Sequence, residues 1–510
     1  MNIQRRGRRS FRQARNIHHY LPGLAAIALL CLCLSTVRGQ EPAVVIRIFP
    51  TANRVVIEGN RASTRVWSFR DSYAGILELG SRIERLRLFD NSGALVPNRE
   101  IAPGQFASET PAARFQYEVR LTPPGAPADA AKISWLNQEH GVLMLGDLLP
   151  LTEAAPASRR IVVQFVLPAD WAVYSNNPPA GTSNFEVTEP EDAVFVVGNH
   201  LRATHTTVSG MSFNLFADGE WAFTDSEAAD LAGKVLKAHR DVLGAMPAKQ
   251  ATLILLPFPN LFADRWSAET RGATVTLLLG KIPSKIAALV RLSTPLTHEF
   301  FHLWVPNALE LKGDYDWFSE GFTVYQAARA AVRLQMLTFP EFLDAIAAAY
   351  DGYVSGADHD RWSLIEASQR RWTVGEASVY AKSMVVAFLF DLKLRSQTRG
   401  RRSLDDAYHK LCQHYCSKAS SSLSAGQADG NNALMNVLGS ESAAQDFVRL
   451  FIYNPVSINL QMELEPFGLR VERFGSRTRI TVSEQLTRQQ RDLLRELGYN
   501  DASRFQRRGI

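Results

Sequence analysis

The chain has 510 residues, enough for two or three domains with a sizeable core. Its apolar fraction of 46% is ordinary for a globular protein, and no segment after residue 40 approaches the roughly 18 apolar residues of a membrane span. The formal net charge of +5 comes from residues 1–39, which hold seven arginines and no Lys, Asp or Glu, so the remainder carries −2. The basic balance is therefore no sign of nucleic-acid binding, and we expect no nucleic-acid partner.

The N-terminal segment is typical of an export signal. Six arginines between residues 5 and 15 form a basic region, and an apolar stretch follows from Leu21 to Leu34. Val37-Arg38-Gly39 places small or apolar residues at the −3 and −1 positions, which predicts cleavage before Gln40. We therefore expect residues 1–39 to be a signal peptide, and the protein to be periplasmic or secreted with no stable membrane span. The alternative is a retained membrane anchor, for which the apolar stretch is short.

Residues 40–205 are predicted to form a β-rich N-terminal domain. Short apolar or alternating runs are separated by turn residues, a pattern typical of an antiparallel sheet or sandwich. The runs are Val44–Ile48, Arg54–Ile57, Phe115–Leu121 and Arg160–Phe165. Because this region contains no cluster of catalytic residue types, its expected role is support or substrate positioning.

Residues 206–456 are predicted to mix strands and helices, with a largely helical second half. An amphipathic pattern predicts a helix at Ala228–Leu243, and apolar runs predict strands at Ala251–Leu256 and Ala273–Leu279. A further helix is expected around Val379–Leu394. The stretch Ser417–Asn432 is rich in Ser, Ala and Gly and is expected to be a loop.

Residues 457–510 are predicted to be a small C-terminal tail. Two apolar runs, Gly468–Glu472 and Thr478–Val482, favour a strand pair, and Thr487–Leu497 favours a helix. The last dozen residues are expected to be disordered. Upstream of the tail, Cys412 and Cys416 lie one turn apart on a predicted helix. Export would allow them to form a disulfide, and two unbridged helix cysteines are the alternative.

The segment His298-Glu299-Phe300-Phe301-His302 carries the strongest chemical signal. Residues four apart share one helix face, so both imidazoles can bind one ion, and Glu299 can act as general base on a water at that ion. Glu320, 18 residues after His302, supplies a carboxylate from a second helix. Two histidines and one carboxylate make a catalytic zinc site with an open position. We therefore predict one Zn²⁺ per chain, bound by His298, His302 and Glu320.

The surroundings of this segment favour zinc over the alternative of two histidines satisfied within the core. Ser293-Thr294-Pro295 predicts a helix start, with Thr294 as N-cap and Pro295 as the first helical residue. Apolar residues such as Leu296 and Phe300 then make the helix largely buried. A buried histidine pair without a partner would be costly, and a metal supplies that partner.

Four segments resemble the glycyl aminopeptidase family of gluzincin metallopeptidases, family M61. Thr297–Trp304 resembles the zinc helix of the family, and Trp317–Tyr325 resembles its W-x-x-E-G-F-T-x-Y motif. Tyr380–Ser383 is similar to its Tyr-x-Lys-Gly segment, and Leu392–Asp406 to the stretch that follows. The resemblance covers residues 200 to 455. It implies an α+β fold, in which an N-terminal antiparallel β-sandwich-like domain precedes a thermolysin-like gluzincin catalytic domain with a largely helical second half.

Other features are closer to the M1 aminopeptidases. The 17 residues between His302 and Glu320 are fewer than is usual in M61, and Trp304-x-x-Asn307 is also M1-like. Ser383 stands where the M61 family usually has glycine. Trp266–Thr270 matches the family's Gly-Gly-Leu-Glu-His segment only at its glutamate. The PDZ domain usual near the family's C-terminus is absent or reduced to the tail.

The resemblance implies a zinc aminopeptidase that releases small N-terminal residues from exported peptides. Glu299 would move the proton, and the Tyr380 hydroxyl would stabilise negative charge on the reacting oxygen. Alternatively, Tyr380 is a packing aromatic at a helix start. Two other functions stay open. One is a zinc endopeptidase or non-peptide hydrolase of the same fold, and the other is a binding protein that has lost turnover.

Glu269 is the candidate for binding the free amino group of the substrate. It precedes the predicted strand Ala273–Leu279, where the related families place their amine-binding segment. Its carboxylate would pair with the ammonium group and set the chain register, so that the first peptide bond meets the metal. Trp266 would narrow the pocket and favour Gly or Ala. The alternative is an exposed loop glutamate, since charged loop residues are usually solvated.

Overall fold

Two packed β-sheets make up the N-terminal part of the structure, which is a computed structural model. It describes residues 43–151, 160–260, 262, 265–357, 359–416, 428–440 and 442–500. The strands of this part are β1 (Val44–Phe49), β2 (Arg54–Ser68), β3 (Ile83–Phe89), β4 (Leu95–Val96), β5 (Asn98–Ala102), β6 (Gln105–Arg120), β7 (Trp135–Leu136), β8 (His140–Met144), β9 (Ile161–Val166), β10 (Ala172–Ser175), β11 (Asn184–Val187) and β12 (Val194–Gly198). A single helical turn, α1 (Leu145–Leu148), follows β8.

The larger sheet has the strand order β11-β9-β1-β2-β6-β3-β4, with β5 paired to β6, and the smaller has the order β10-β12-β8-β7. All pairs are antiparallel except β1 with β9. Alternate residues point to the same face, so Ile46 and Ile57 of the larger sheet share one apolar core with Leu143 and Phe195 of the smaller. The predicted β-sandwich is therefore confirmed. The predicted strands at Arg54–Ile57 and Phe115–Leu121 belong to the two longest, β2 and β6.

A five-stranded sheet follows, built from β13 (Arg202–Val208), β14 (Met211–Ala217), β15 (Gln250–Pro257), β16 (Trp266–Arg271) and β17 (Thr274–Leu279). The order is β13-β14-β15-β17-β16, in which β14, β15 and β17 are parallel and the two edge strands are antiparallel. Helix α2 (Asp225–Leu243) crosses between β14 and β15, and Thr224 and Glu227 form a capping box at its start. Strand β13 spans the expected domain boundary between residues 205 and 206.

Helices fill the second half, as predicted. They are α3 (Lys285–His302), α4 (Thr323–Arg333), α5 (Phe339–Ser355), α6 (Leu364–Gln369), α7 (Ser383–Thr398), α8 (Leu404–Tyr415), α9 (Gly430–Leu438), α10 (Ser442–Val448), α11 (Leu460–Leu464) and α12 (Arg488–Glu496). Four π-helical segments accompany them, at Trp317–Phe322, Arg371–Gly375, Ser378–Lys382 and Arg449–Tyr453. The short strands β18 (Leu311–Lys312) and β19 (Ala428–Asp429) pair in parallel. One apolar core joins these helices to the five-stranded sheet.

The predicted start of the zinc helix was wrong. Helix α3 begins at Lys285, where the Ser284 hydroxyl accepts the Ala287 N–H, and Pro295 lies inside the helix. An interior proline costs about 3 kcal/mol. Burial of Ala288 and Leu292 upstream of it, at the spacing of one helix face, offsets that cost. The Ser293 hydroxyl also donates to the Val290 carbonyl at 2.8 Å within this turn.

The C-terminal tail packs on the helices. Strands β20 (Leu469–Phe474) and β21 (Arg477–Val482) form the predicted hairpin, which lies against α5. The predicted helix at Thr487–Leu497 is α12, which begins after Thr487, and the Thr487 side chain caps it. Within residues 457–500 the chain has these strands, α11, α12 and one short 3₁₀ turn at Glu465–Phe467, and this is the extent of the tail the structure describes.

Two features bear on the cysteine and membrane predictions. Cys412 and Cys416 form a disulfide across the end of α8. In the described part of the chain, no helix combines the length and the apolar character needed to cross a membrane.

Three predictions concern residues outside those that the structure describes. They are the signal peptide with its cleavage site, the disorder of the last dozen residues, of which those from 501 onward are not described, and most of the predicted loop, residues 417–427. The predicted end of that loop, Asn432, was wrong, because α9 already begins at Gly430.

Candidate active site

Three side chains converge between the five-stranded sheet and the helices. His298 and His302 lie on one face of the last turns of α3, and Glu320 lies in the π-helical segment Trp317–Phe322. The two Nε2 atoms are 3.0 Å apart, and each is 3.5 Å from Glu320 Oε2. The structure thus brings together all three residues predicted as metal ligands.

This triangle of ligand atoms fits a tetrahedral ion. Ligand atoms about 2.0–2.1 Å from such an ion are about 3.3 Å apart, close to the three observed separations. The His302 Nδ1–H donates to the Val305 carbonyl over 2.8 Å, because a carbonyl can only accept, so Nε2 is the nitrogen that faces the triangle. Two imidazole nitrogens at 3.0 Å repel unless a proton or a cation lies between them. A shared proton or a zinc ion would satisfy the two nitrogens, and the Glu320 oxygen 3.5 Å from each of them completes a set of zinc ligands.

The charges of the triangle are strongly coupled. Burial alone would lower the pKa of His302, but the Glu320 carboxylate, its main favourable partner, raises it to about 9. Burial alone would likewise raise the pKa of Glu320, but His302 and His298 hold it well below its usual range. The carboxylate is therefore ionised, and the site without a metal attracts positive charge.

Close packing of two π-helical segments positions Glu320. Segment Trp317–Phe322 crosses segment Ser378–Lys382 at Gly321, where a β-carbon would collide with Ser383 Cβ and the Val379 carbonyl. Glycine at 321 therefore permits the approach that the segments need. The fully buried Trp317 fixes the start of its segment by donating to Asn431 at 2.8 Å.

Glu299, the predicted base, is buried beside the triangle. Its Oε2 accepts a hydrogen bond of 2.7 Å from Thr270 Oγ1, and the same hydroxyl lies 3.1 Å from the Glu299 carbonyl. Thr270 belongs to the edge strand β16, so this contact ties the strand to the zinc helix. Thr270 thus holds one carboxylate oxygen, and among the described residues the other has no hydrogen-bond donor and can act on a proton.

Tyr380 lies near the triangle, in the π-helical segment Ser378–Lys382. Burial and then the nearby Glu320 raise the pKa of its phenol, which therefore keeps its proton. Arg371 donates to the Tyr380 oxygen, and its Nη1 lies 3.1 Å from Glu320 Oε1 and 2.8 Å from Asp316 Oδ1. Because arginine only donates, the Tyr380 oxygen accepts and its proton faces the carboxylate side of the triangle.

Glu269 precedes β17, as the sequence indicated, but it lies in a strand and not in a loop. It lies inside strand β16, opposite Thr276, and its side chain is partly buried, so the exposed-loop alternative was wrong. The Tyr73 hydroxyl of the N-terminal domain donates to Glu269 Oε1 over 2.6 Å. Burial raises the pKa of Glu269, the bond from Tyr73 counteracts this, and the neighbouring Glu299 adds to the rise. Glu269 therefore lies within electrostatic range of the predicted base.

Trp266 has no evident role in a pocket beside Glu269. Residues 266 and 269 are three apart on a strand and so lie on opposite faces. Trp266 is 37% exposed at the start of β16. The sequence interpretation in which Trp266 narrows the amine pocket has no support in this geometry.

Three site residues escaped the sequence interpretation: Thr270, Arg371 and Tyr73. From the sequence, Thr270 is only the residue that stands where the related segment has histidine. Arg371 lies in an ordinary polar run, Gln369-Arg370-Arg371, without a distinguishing pattern. Tyr73 lies 196 residues before its partner Glu269, in a domain whose sequence lacked catalytic signals.

Comparison with known proteins shows the fold. The chain matches no protein-family model, and no curated protein sequence matches it. Among solved structures, an aminopeptidase N family protein from Idiomarina loihiensis superposes with a TM-score of 0.71 and 18% identity, over 84% of this chain and 78% of that one. An M1 zinc metallopeptidase from Deinococcus radiodurans has a TM-score of 0.50 and 15% identity, over 83% of this chain and 96% of that one.

A mutant of the Deinococcus enzyme bound to a Tyr-Ser-Ala substrate is also similar, with a TM-score of 0.51 and 15% identity over 81% of this chain and 94% of that one. The chain has the two-domain α+β fold of these metallopeptidases. The predicted fold class is therefore confirmed.

Proposed function

We propose that the protein is a zinc-dependent metallopeptidase, and more specifically an aminopeptidase that acts on exported peptides. The observation that carries the proposal is the triangle of His298 Nε2, His302 Nε2 and Glu320 Oε2, with sides of 3.0, 3.5 and 3.5 Å. The likeness in fold to M1 zinc metallopeptidases supports the same chemistry. The sequence segments that resemble family M61 support a relation to the glycyl aminopeptidases.

One zinc ion per chain would be held by His298, His302 and Glu320. Bound there, zinc lowers the pKa of the attacking water and polarises the scissile carbonyl. Within the protein, Glu299 takes a proton from that water and later delivers it to the leaving amine. The hydroxyl of Thr270 holds one oxygen of Glu299 so that the other faces the reaction.

Tyr380 and Arg371 act on the opposite side of the scissile bond. The Tyr380 hydroxyl donates to the carbonyl oxygen as negative charge develops there. Arg371 donates to the oxygen of that hydroxyl, so the hydroxyl keeps its own proton for donation. Arg371 also holds Glu320 Oε1, so Oε2 of the same carboxylate remains directed at the two histidines.

The edge strand β16 provides the substrate site. In the described sheet its outer side carries no paired strand, so an extended peptide can add to it by backbone hydrogen bonds. Glu269 lies on this strand and would bind the substrate's ammonium group, which sets the first peptide bond at the triangle. Peptides with a free amino terminus are therefore the proposed substrates.

We also propose that the protein is exported. The basic and apolar character of residues 1–39 supports removal of this segment before Gln40. The disulfide between Cys412 and Cys416 is consistent with an oxidising compartment. Sequencing the N-terminus of the protein recovered from cell fractions tests this, and an intact Met1 in a cytoplasmic fraction would contradict it.

A digest of a synthetic peptide library, read by mass spectrometry, tests the peptidase function. We expect stepwise loss of single N-terminal residues from free peptides and no cleavage of N-acetylated copies. The Glu299→Gln variant should keep its zinc, measured by atomic emission, and lose at least ~100-fold in rate, because only the base is removed. The His302→Ala variant should lose the zinc.

The other outcomes separate the alternatives. Internal cuts in free and acetylated peptides alike would make the protein an endopeptidase. Stoichiometric zinc without any cleavage would leave a binding protein that has lost turnover, and the proposal would fail.

A further inference from the structure

A tight turn of the N-terminal domain, Tyr73–Ile76, reaches the candidate active site. The backbone N–H groups of Tyr73 and Ile76 donate to each other's carbonyl oxygens over 2.9 and 2.8 Å. At the tip, Ala74 and Gly75 have φ angles of 48° and 83°, the left-handed conformation of a two-residue type I′ turn. A second bond, from the Leu79 N–H to the Asp71 carbonyl at 2.9 Å, closes the base. These backbone hydrogen bonds make the turn a rigid projection from the N-terminal domain.

One side of this turn is anchored through Tyr73 on strand β16, the proposed substrate site. Its hydroxyl donates to Glu269 Oε1 over 2.6 Å. The guanidinium carbons of Arg271 and Arg70 lie 4.0 and 5.0 Å from the centre of its ring. A tyrosine hydroxyl has one proton, so this bond engages one oxygen of Glu269 and leaves the other oxygen for a ligand.

The tip of the turn meets the helical half of the protein at Trp372. A β-carbon built on Gly75 would lie 3.5 Å from the indole ring of Trp372. Trp372 directly follows Arg371, whose guanidinium carbon lies 4.4 Å from the centre of that ring and which bonds Glu320 and Tyr380. The turn therefore spans from Glu269 on one wall to the Arg371 segment on the other.

We infer that the Tyr73–Ile76 turn and Trp372 form a steric stop that limits cleavage to one residue at a time. The inference rests on the proposed aminopeptidase function. When the ammonium group of a substrate is on Glu269, any residue in front of it must enter the space between Tyr73 and Trp372 that the turn fills. Recognition of a free amino terminus thus depends on shape as well as on charge.

A series of N-alkylated peptides tests the stop with the unmodified enzyme. Peptides whose terminal amine is primary, N-methyl, N-ethyl or N-butyl keep the positive charge and differ in size. With a steric stop, kcat/KM falls by about 10-fold or more from the primary amine to the N-butyl compound, the usual range for rejection by a pocket wall. A flat series, with N-acetyl peptides still rejected, would show that charge alone selects and would overturn the inference.

Variants of the stop provide the second arm. The double variant Tyr73→Ala, Trp372→Ala should raise cleavage of the N-butyl peptide relative to the primary amine by at least ~10-fold. It should also release dipeptides from unmodified peptides. Tyr73→Phe keeps the ring and should keep the size selection, while losing the bond to Glu269. Leu77→Ala is the matched control, because Leu77 is 70% exposed directly after the turn.

The outcomes distinguish the two proposals. If the double variant shows the same size selection and the same products as the wild type, the stop does not exist. If the wild type releases no N-terminal residue from unmodified peptides, the aminopeptidase function itself fails.

Discussion

Tyr380 illustrates how a single side chain is prepared for its role by its neighbours. A free phenol can rotate its proton among several acceptors. Here Arg371 can only donate, so it fixes the phenol oxygen as an acceptor and leaves the proton on the side of Glu320. Because burial raises the pKa of Tyr380, the proton is retained across neutral pH. Such preorganised donors are worth more in the transition state than in the bound substrate.

The Tyr380→Phe variant tests this role. We expect kcat to fall by about 10²–10³, the usual loss for one donor to a developing oxyanion, with little change in KM. Zinc content should not change, because phenylalanine keeps the ring and Tyr380 was not a predicted ligand. Tyr453→Phe, at an exposed tyrosine on another π-helical segment, is the control. A rise in KM alone would instead make Tyr380 a substrate-binding residue.

At the scale of elements, the site depends on how two π-helical segments cross. Segment Trp317–Phe322 carries Glu320, and segment Ser378–Lys382 carries Tyr380. Their backbones touch at Gly321, where no β-carbon fits. The zinc ligand and the phenol are therefore held at a fixed separation by backbone contact, without long side chains between them.

The Gly321→Ala variant should separate these segments. The added methyl meets Ser383 Cβ and the Val379 carbonyl, so we expect a loss of about 1–3 kcal/mol in stability and weaker zinc binding. Urea titration and metal analysis measure the two effects. Gly352→Ala is the matched control: its nearest neighbour would be Ala381 Cβ at 3.7 Å, and it lies inside α5. That variant should be neutral or more stable. Equal behaviour of the two variants would contradict the crossing argument.

Local patterns in the sequence predicted eight of the 21 strands in the described residues and several of the longer helices, because strand alternation and helix periodicity follow from which face is buried. They failed where packing overrides a local rule. The predicted strand at Arg54–Ile57 was too short, because β2 continues through a bulge between Asn60 and Thr64 to Ser68. Pro295 suggests a helix start, but the buried face of α3 extends upstream of it. A single sequence does not show these compensations.

The zinc ligands could be predicted from local sequence alone. The two histidines are four residues apart, and Glu320 lies in a recognisable short motif. The roles of Arg371 and Tyr73 depend instead on contacts between segments far apart in the chain. Tyr73 of the N-terminal domain forms a hydrogen bond with Glu269 of the catalytic half, and Arg371 forms an ion pair with Glu320 although 50 residues separate them in the chain. No periodicity links such pairs, so only the tertiary structure identifies them.

At the scale of the whole molecule, a buried charge cluster connects the helical half. Asp391 on α7 is fully buried, and its carboxylate lies 3.3 Å from Arg329 and 3.0 Å from Arg395. Tyr325 donates to it at 2.7 Å, and Arg395 continues to Glu496 on α12 at 2.8 Å. Arg329 also lies 2.8 Å from Asp405 on α8, so four helices, α4, α7, α8 and α12, share one polar network.

Removal of the central charge should destabilise this half. In Asp391→Asn the buried guanidinium groups of Arg329 and Arg395 lose the fully buried carboxylate that they share and keep only Asp405 and Glu496 as partners, so we expect a loss of about 3–5 kcal/mol in the free energy of unfolding. Glu186→Gln is the control: its carboxylate is 38% exposed and pairs with Arg160 at the surface, so the loss should stay below about 1 kcal/mol. Similar losses in both variants would contradict a structural role for the cluster.

The same cluster makes the stability of the fold depend on pH. Although burial alone would raise the pKa of Asp391, Arg329 and Arg395 lower it to about 2, below the roughly 3.9 of an unfolded aspartate. A depressed pKa stabilises the fold above the unfolded value. The advantage of the wild type over Asp391→Asn should therefore be complete above about pH 4 and shrink as the pH falls toward 2, which urea titrations at stepped pH would detect.

The π-helical form of segment Trp317–Phe322 creates a conflict between stability and activity. A π turn holds one residue more than an α turn and has poorer backbone bonding. Deletion of one residue after Glu320 would let the segment merge into α4 as a regular helix. It would also turn Glu320 by about 100° away from the histidines. Selection for a stable fold alone would favour such a deletion, and selection for turnover would remove it. A relative of this chain that lacks one residue after Glu320 would therefore keep the fold and lose the peptidase activity.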